Sequence, residues 1–140
     1  MAKPVVIVLN GVGSVGKTST AKALQRIARE PLLHVSMDAF LEMLPARMFG
    51  HPDGYIFETT TDADGKPTVV IHSGPVLARL MNGMRAAIAA MAEQGASIVV
   101  DDVMFGDGEA GQYRRLLGKF DFHLVGLFAP LDVLEQREQA

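Results

Sequence analysis

Residues 5–18 of the chain read VVIVLNGVGSVGKT. The first part, Val5 to Leu9, is a continuous apolar run, mostly of β-branched residues, which is typical of a strand buried on both faces of a parallel sheet. Glycines follow, and then Lys17 and Thr18. From Thr18 to Arg29 apolar residues recur at helical spacing. The stretch therefore predicts a buried strand, a glycine-rich loop and a helix in immediate succession.

The loop matches the phosphate-binding pattern G-x-x-x-x-G-K-[ST] at every fixed position. Glycines let backbone N–H groups approach phosphate oxygens, and the N-terminus of the following helix favours an anion. Lys17 can reach the β- and γ-phosphates, and the Thr18 hydroxyl can ligate Mg²⁺. ATP and Mg²⁺ are therefore the expected cofactors. The predicted nucleotide-binding residues are Gly11, Val12, Gly13, Ser14, Val15, Gly16, Lys17 and Thr18.

The remainder of the chain alternates strand and helix patterns, which predicts an α/β fold with a mostly parallel sheet. We expect a P-loop NTPase fold, a three-layer α/β/α arrangement, forming a single domain over residues 1–140. Asp64-Gly65 is a strong turn signal and predicts a β-hairpin insertion near residues 55–72. The other predicted elements are strands at Leu32–Ser36, Ser97–Val100 and His123–Phe128, and helices at Asp38–Leu44, from Pro75 to about Gln94, at Gly111–Gly118 and from Leu131.

Acidic residues follow two of the predicted strands. Asp38 lies two residues after the second strand, and Asp101-Asp102 closes the strand that begins at Ser97. Ligands of doubly wound sheets bind beyond the carboxyl ends of the strands, so these carboxylates are candidates for a phosphoryl-transfer site. Asp38 is the candidate base, and Asp101 and Asp102 are candidates for the magnesium shell, although one of them could hold substrate. The alternative for each is a solvent-facing helix cap.

Composition excludes several other classes of protein. The net charge is -3, which argues against binding to nucleic acid or to an anionic membrane. The sequence has no cysteine, so disulfides and thiolate zinc sites are excluded. No apolar run approaches the ~18 residues of a membrane span. We therefore expect a cytoplasmic protein whose partner is a small molecule.

Three blocks of sequence together resemble the chloramphenicol phosphotransferase family. They are the loop from Asn10 to Thr18, the segment from Val35 to Pro45, and Ile98 to Val103. The resemblance covers nearly the whole chain and implies an ATP-dependent kinase that phosphorylates a hydroxyl of a small molecule, with Asp38 as the base. Apolar residues near the strand ends are candidates for an acceptor pocket, with ordinary core packing as the alternative: Met37, Phe40, Leu44, Met48, Met104 and Phe105.

The resemblance also implies a C-terminal part that this chain lacks. The family continues past the helix that contains Arg137 into an arginine-bearing lid, a further strand and a final helix, whereas this sequence stops at Ala140. We expect a truncated chain in which Arg137, matching the first lid arginine, is catalytic by neutralising charge on the transferred group. The unpaired flank of the sheet favours instability or association into a homo-oligomer.

These observations lead to one principal hypothesis of function. It is an ATP-dependent phosphotransferase that resembles chloramphenicol phosphotransferase and acts on a hydroxylated small molecule. The alternative is an ATP-binding P-loop protein without kinase activity of its own, either regulatory or a fragment. The two hypotheses differ in whether the chain alone phosphorylates an acceptor.

Overall fold

The computed structural model describes residues 2–104 and 107–139. The chain divides into two compact units, one of Met1–Met37 with Arg85–Ala140 and one of Asp38–Met84. The elements are, in chain order, β1 (Val5–Asn10), α1 (Lys17–Ile27), β2 (Leu32–Ser36), α2 (Met37–Leu41), a 3₁₀ turn (Ala46–Met48), β3 (Tyr55–Thr61), β4 (Pro67–Ser73), α3 (Pro75–Glu93), β5 (Ser97–Asp102), α4 (Asp107–Leu117), β6 (Asp121–Gly126) and α5 (Leu131–Gln139).

A four-stranded parallel sheet forms the first unit, with strand order β2-β5-β1-β6. The two central strands, β1 and β5, are the most buried, and residues such as Val6, Val8 and Val100 have no exposed surface. Since β1 pairs with β5 from Val6↔Ile98 to Asn10↔Asp102, both strands end at the same edge of the sheet. The α/β prediction with a mostly parallel sheet is confirmed.

Helix α1 packs on this sheet through a small apolar cluster. Ala21 has no exposed surface and lies with Leu9 and Val99, and four half-buried residues surround them: Ile7, Leu24, Leu32 and Leu127. A small side chain at position 21 lets the helix approach the strands closely, because a larger one would have to displace close-packed neighbours. This packing fixes the start of α1 directly after the loop that leaves β1.

The last strand lies two residues earlier than the sequence pattern indicates. The apolar pattern predicts His123–Phe128, whereas β6 is Asp121–Gly126 and pairs with β1 from Val5↔Asp121. The strand is only partly buried because β6 is at the edge of the sheet, so its apolar pattern is a weak guide to its limits. Phe128, predicted as its last residue, is 93% exposed and outside it.

Helix α4 also differs, since it begins at Asp107 rather than at Gly111. Gly108 and Gly111 both disfavour a helix. Tyr113 and Leu117 have no exposed surface, and burial of their large side chains outweighs the cost of two glycines. The predicted end near Gly118 agrees with the structure.

The second unit contains the predicted hairpin. β3 and β4 pair antiparallel from Tyr55↔Ser73 to Thr61↔Pro67. The connecting turn is closed by Asp62, whose Oδ1 accepts hydrogen bonds from the backbone N–H groups of Asp64 and Lys66. Gly65 has φ 79°, which explains the glycine at that position. A separate apolar cluster of this unit is centred on Leu44, Met48 and Leu77.

Candidate functional site

The segment between β1 and α1 has the backbone conformation of a strongly curved loop. Gly16 has φ 101°, in the left-handed region that favours glycine, and it caps α1. Ser14 has φ 66° and is the one non-glycine residue with positive φ among residues 2–104 and 107–139. Such backbone strain is concentrated at ligand-binding loops. The predicted phosphate loop is therefore curved and followed directly by a helix N-terminus.

Gly11 is where this loop lies closest to the rest of the unit. A Cβ atom at position 11 would lie 2.7 Å from Val15 Cγ1 and 2.9 Å from the backbone oxygen of Leu127. The latter residue also donates its backbone N–H to the carbonyl of Asn10 at 2.8 Å. The loop is thus supported from behind by the chain that leaves β6.

The side chain of Lys17 is buried, with 8% of its surface exposed. Its Nζ donates hydrogen bonds to the carbonyl oxygens of Gly11 at 2.7 Å and of Val12 at 3.1 Å. The ammonium group therefore lies inside the loop and is solvated by the loop's own backbone. A bound phosphate would offer the ammonium oxygens of full negative charge in place of these carbonyls.

Thr18 and Asp101 meet at the carboxyl edge of the sheet. Thr18 Oγ1 donates a 2.7 Å hydrogen bond to Asp101 Oδ2. The same carboxylate oxygen lies 3.7 Å from His34 Nε2, on the neighbouring strand β2. A hydroxyl and a carboxylate are the oxygen ligands that Mg²⁺ prefers. In the described part of the chain, no three His, Asp or Glu side chains cluster as a metal site would require, so the remaining ligands would be phosphate and water oxygens.

Asp102, although adjacent, has a different environment. It has no exposed surface, and its Oδ2 accepts hydrogen bonds from Tyr113 Oη at 2.6 Å and Arg85 Nη2 at 3.3 Å. Its Oδ1 accepts the backbone N–H of Val103 at 2.8 Å. Burial, together with the negative charge of Asp102, raises the pKa of Tyr113 well above its usual range. Both neighbouring aspartates are buried, and they differ in the partners of their oxygens.

Arg137 on α5 also reaches the predicted phosphate loop. Its Nη1 donates a 2.9 Å hydrogen bond to the carbonyl of Ser14. The guanidinium, the loop and the first turn of α1 together line an open cavity of about 610 Å³. The lining residues are Ser14, Val15, Gly16, Ser19, Thr20 and Arg137. A cavity of this size is within the range of small-molecule sites.

Asp38 lies in the second unit, in the first turn of α2. Its side chain is exposed. The pKa of Tyr55 is raised, first by partial burial of the Tyr55 phenol and second by the negative charge of Asp38. Of the residues proposed for an acceptor pocket, Leu44 and Met48 are buried in the apolar cluster of this unit, and Phe105 lies outside the described residues.

Sequence analysis missed several residues at this edge of the sheet. Asn10 Oδ1 accepts the backbone N–H of Met104 at 2.9 Å and so joins the ends of β1 and β5. His34, Arg85 and Tyr113 were not predicted as site residues, although each contacts one of the two aspartates. Arg85 lies on a largely apolar helix face, and this position was the signal that the sequence offered for it, because a buried charge requires a partner.

In the described part of the chain, no helix has the length and apolar character needed to cross a bilayer. This finding concerns helices among residues 2–104 and 107–139.

Two proteins of Mycobacterium tuberculosis are similar in sequence, one from strain CDC 1551 / Oshkosh and one from strain H37Rv. Each is named "Putative O-phosphotransferase" and is 35% identical over 104 residues, which are 71% of this chain. The same match covers 46% of each relative, so the chain matches about half of their length.

Solved structures share the fold at lower sequence identity. A Pnkp1/Rnl/Hen1 complex has a chain with TM-score 0.67 and 13% identity, over 98% of this chain and 40% of that one. A "putative kinase" from Chloroflexus aurantiacus gives TM-score 0.64 at 20% identity, over 99% of this chain and 67% of that one. A sugar kinase from Janibacter sp. HTCC2649 gives TM-score 0.60 at 18% identity, over 98% of this chain and 66% of that one. Such similarity establishes a common fold.

The sequence pattern of one protein family matches almost the entire chain. The matched family is described as "Chloramphenicol phosphotransferase-like protein", and the match runs over residues 4–140. The predicted phosphate loop from Gly11 to Thr18, with Asp101 beside it, lies within that match. This chain therefore belongs to the chloramphenicol phosphotransferase-like family.

Proposed function

We propose that this chain is an ATP-dependent phosphotransferase that transfers the γ-phosphoryl group to a hydroxyl of a small molecule. The observation that supports the proposal most directly is the hydrogen bond between Thr18 and Asp101 beside the phosphate loop. The family match supports the same reaction class.

The phosphates of ATP would bind to the loop between β1 and α1. Backbone N–H groups of the loop and the positive end of α1 would donate to phosphate oxygens. Lys17 would exchange its two carbonyl partners, Gly11 and Val12, for oxygens of the β- and γ-phosphates. The ammonium is already buried beside the loop, so little side-chain ordering remains to be done on binding.

Thr18 and Asp101 fit a magnesium site by their chemistry. Both supply oxygen atoms, and both lie at the carboxyl edge of the sheet, next to the helix N-terminus. When bound, Mg²⁺ would supply positive charge that offsets the negative charge of the phosphates during transfer. Thr18 would hold the ion through its hydroxyl oxygen, and Asp101 would orient that hydroxyl through the 2.7 Å hydrogen bond between them.

Asp38 would act as the base and Arg137 as the cationic residue. The acceptor oxygen forms a bond to the γ-phosphorus, the bond from that phosphorus to the β–γ bridging oxygen breaks, and ADP leaves. Asp38 accepts the proton of the acceptor hydroxyl, which its exposed carboxylate permits. Arg137, already bonded to the Ser14 carbonyl, neutralises charge on the transferred group.

The proposal is tested by incubating the chain with Mg-ATP and a panel of hydroxylated small molecules that includes chloramphenicol. Mass spectrometry then searches for a product heavier by one phosphoryl group. A Lys17→Met variant is the matched control and should give no product. Nucleotide binding without any phosphorylated acceptor across the panel would instead support the alternative, an ATP-binding protein without kinase activity of its own.

A further inference from the structure

The buried carboxylate of Asp102 is the centre of a group of polar side chains that includes Arg85 of α3 and Tyr113 of α4. We call these three residues the Asp102 cluster. Asp102 Oδ2 accepts two hydrogen bonds, one from Tyr113 Oη at 2.6 Å and one from Arg85 Nη2 at 3.3 Å. All three side chains are buried, with exposed fractions of 6% for Arg85 and zero for the other two.

The charges of this cluster are balanced internally, and most of its polar atoms are hydrogen-bonded within the protein. The guanidinium of Arg85 offsets the charge of Asp102, lies 5.4 Å from the centre of the Tyr113 ring, and is further held by a 3.2 Å bond to Gln112. Because Asp102 Oδ1 accepts from Val103 and Oδ2 accepts from two donors, both carboxylate oxygens are occupied within the protein. Asp102 is consequently poorly suited to hold a metal ion.

The position of Asp102 in β5 suggests what the cluster does. Successive side chains of a strand point to opposite faces of the sheet. When the carboxylate of Asp102 is fixed on one side, the rotation of the strand about its own axis is fixed, and Asp101 is directed to the other side. Thr18 lies there, with its hydroxyl 2.7 Å from Asp101 Oδ2.

We infer that the Asp102 cluster is a positioning device for the magnesium site, which it shapes by holding Asp101 toward Thr18. The inference rests on the proposed function, since it assigns Asp101 to that site. Two further bonds hold the same strand end: the Asp102 bond to the N–H of Val103, and the Asn10 bond to the N–H of Met104. Arg85 and Tyr113 act through Asp102 and Asp101.

The test measures how strongly Mg²⁺ increases the affinity for a nucleotide. The probe is a fluorescent N-methylanthraniloyl derivative of ATP, titrated once in Mg²⁺ and once in EDTA. Tyr113→Phe removes one hydrogen bond to Asp102 and keeps the ring. Leu117→Val, on the same helix and equally buried, is the control for general loosening of α4. The ratio of the two affinities should fall about fivefold in Tyr113→Phe, as expected for one lost hydrogen bond, and stay unchanged in the control.

The outcomes separate the inference from the function on which it rests. If the wild-type chain binds the probe equally with and without Mg²⁺, the proposed magnesium site fails and the inference fails with it. If Mg²⁺ strengthens binding to the wild type and to Tyr113→Phe by the same factor, the inference is overturned while the proposed function stands.

Arg85→Lys provides the second variant if Tyr113→Phe does not fold by circular dichroism. It keeps the positive charge but loses the planar fork that bonds Asp102 and Gln112 together. The same fall in the Mg²⁺ ratio is expected, with the affinity in EDTA unchanged. An unchanged ratio in this variant would equally overturn the inference.

Discussion

The hydroxyl of Thr18 donates a 2.7 Å hydrogen bond to the carboxylate of Asp101, which is 83 positions later in the sequence. This bond connects the first turn of α1 to the carboxyl end of β5, across the edge where β1 and β5 finish together. A helix N-terminus and a carboxylate are therefore held beside one loop.

Thr18→Val should remove both the oxygen offered to Mg²⁺ and the hydrogen bond to Asp101. Bonds to charged groups contribute ~1.5–3 kcal/mol, so the Mg²⁺-dependent transfer rate should fall about 10- to 100-fold. Thr18→Ser keeps the hydroxyl and should remain within a fewfold of the wild type. Initial rates measured against Mg²⁺ concentration decide the matter, and equal rates for Val and Ser would exclude a role for the hydroxyl.

Lys17→Met should weaken ATP binding about 10- to 100-fold, because a buried ammonium that can reach phosphate oxygens is lost. Isothermal titration calorimetry measures the change. Lys22→Met, an exposed lysine on the same helix, is the control and should bind ATP as the wild type does. A Lys17→Met chain with wild-type affinity would place the phosphates elsewhere.

Gly11→Ala should destabilise the first unit, whereas Gly13→Ala should not. The new methyl at position 11 would lie 2.7 Å from Val15 Cγ1, while position 13 has no atom within 4 Å of such a group. Forced overpacking costs ~1–3 kcal/mol, and a free surface substitution stays within about 0.5 kcal/mol. Urea denaturation of the two variants gives both values; equal stability would mean that the loop moves away from Leu127 without cost.

Asp38→Asn should leave ATP affinity unchanged and lower the transfer rate, because the amide cannot accept the acceptor's proton. Loss of a general base costs about 10²- to 10⁴-fold. Asp64→Asn, at the exposed hairpin turn of the same unit, is the control. Single-turnover rates with any acceptor found in the panel test this prediction, and an unaltered rate would remove Asp38 from the mechanism.

The raised pKa of Tyr113 predicts a loss of stability in alkaline solution. Above about pH 10 the unfolded chain releases the phenolic proton while the folded chain keeps it, so the free energy of unfolding falls by up to ~1.4 kcal/mol per pH unit. Below the pKa that Tyr113 has in the unfolded chain, its contribution to the free energy of unfolding is fully present. Tyr113→Phe should lack it.

Denaturation of wild type and Tyr113→Phe at pH 9, 10 and 11 isolates the effect. The pKa of Tyr55 is raised as well, but that residue is present in both chains and cancels in the comparison. Parallel stability curves for the two proteins above pH 10 would show that Tyr113 ionises as freely in the folded chain as in the unfolded one.

Elements that are determined by neighbouring residues could be predicted from the sequence, whereas those that depend on pairing between distant segments could not. β2 has the predicted limits, Leu32–Ser36, and the hairpin turn at Asp64-Gly65 lies where its residues indicate, because short apolar runs and turn residues act locally. The limits of β6 depend on its register with β1, which is set by pairing between distant segments.

The different environments of Asp101 and Asp102 also could not be predicted, because they too depend on residues distant in the sequence. The sequence treats Asp101 and Asp102 alike, as neighbours at a strand end. Their difference depends on Arg85 and Tyr113, which come from two helices and leave no mark in the sequence around the aspartates. Local patterns identify the loop, whereas tertiary packing determines which carboxylate faces it.

The support of Gly11 by Leu127 has a consequence for synthesis of the protein. The predicted phosphate loop is encoded near the start of the chain, yet the residue behind it leaves the ribosome more than a hundred positions later. Early in translation Gly11 therefore lacks the support of Leu127, and we expect the first half of the chain alone not to bind nucleotide. A binding-competent nascent chain is expected only once β6 and Leu127 have emerged and docked.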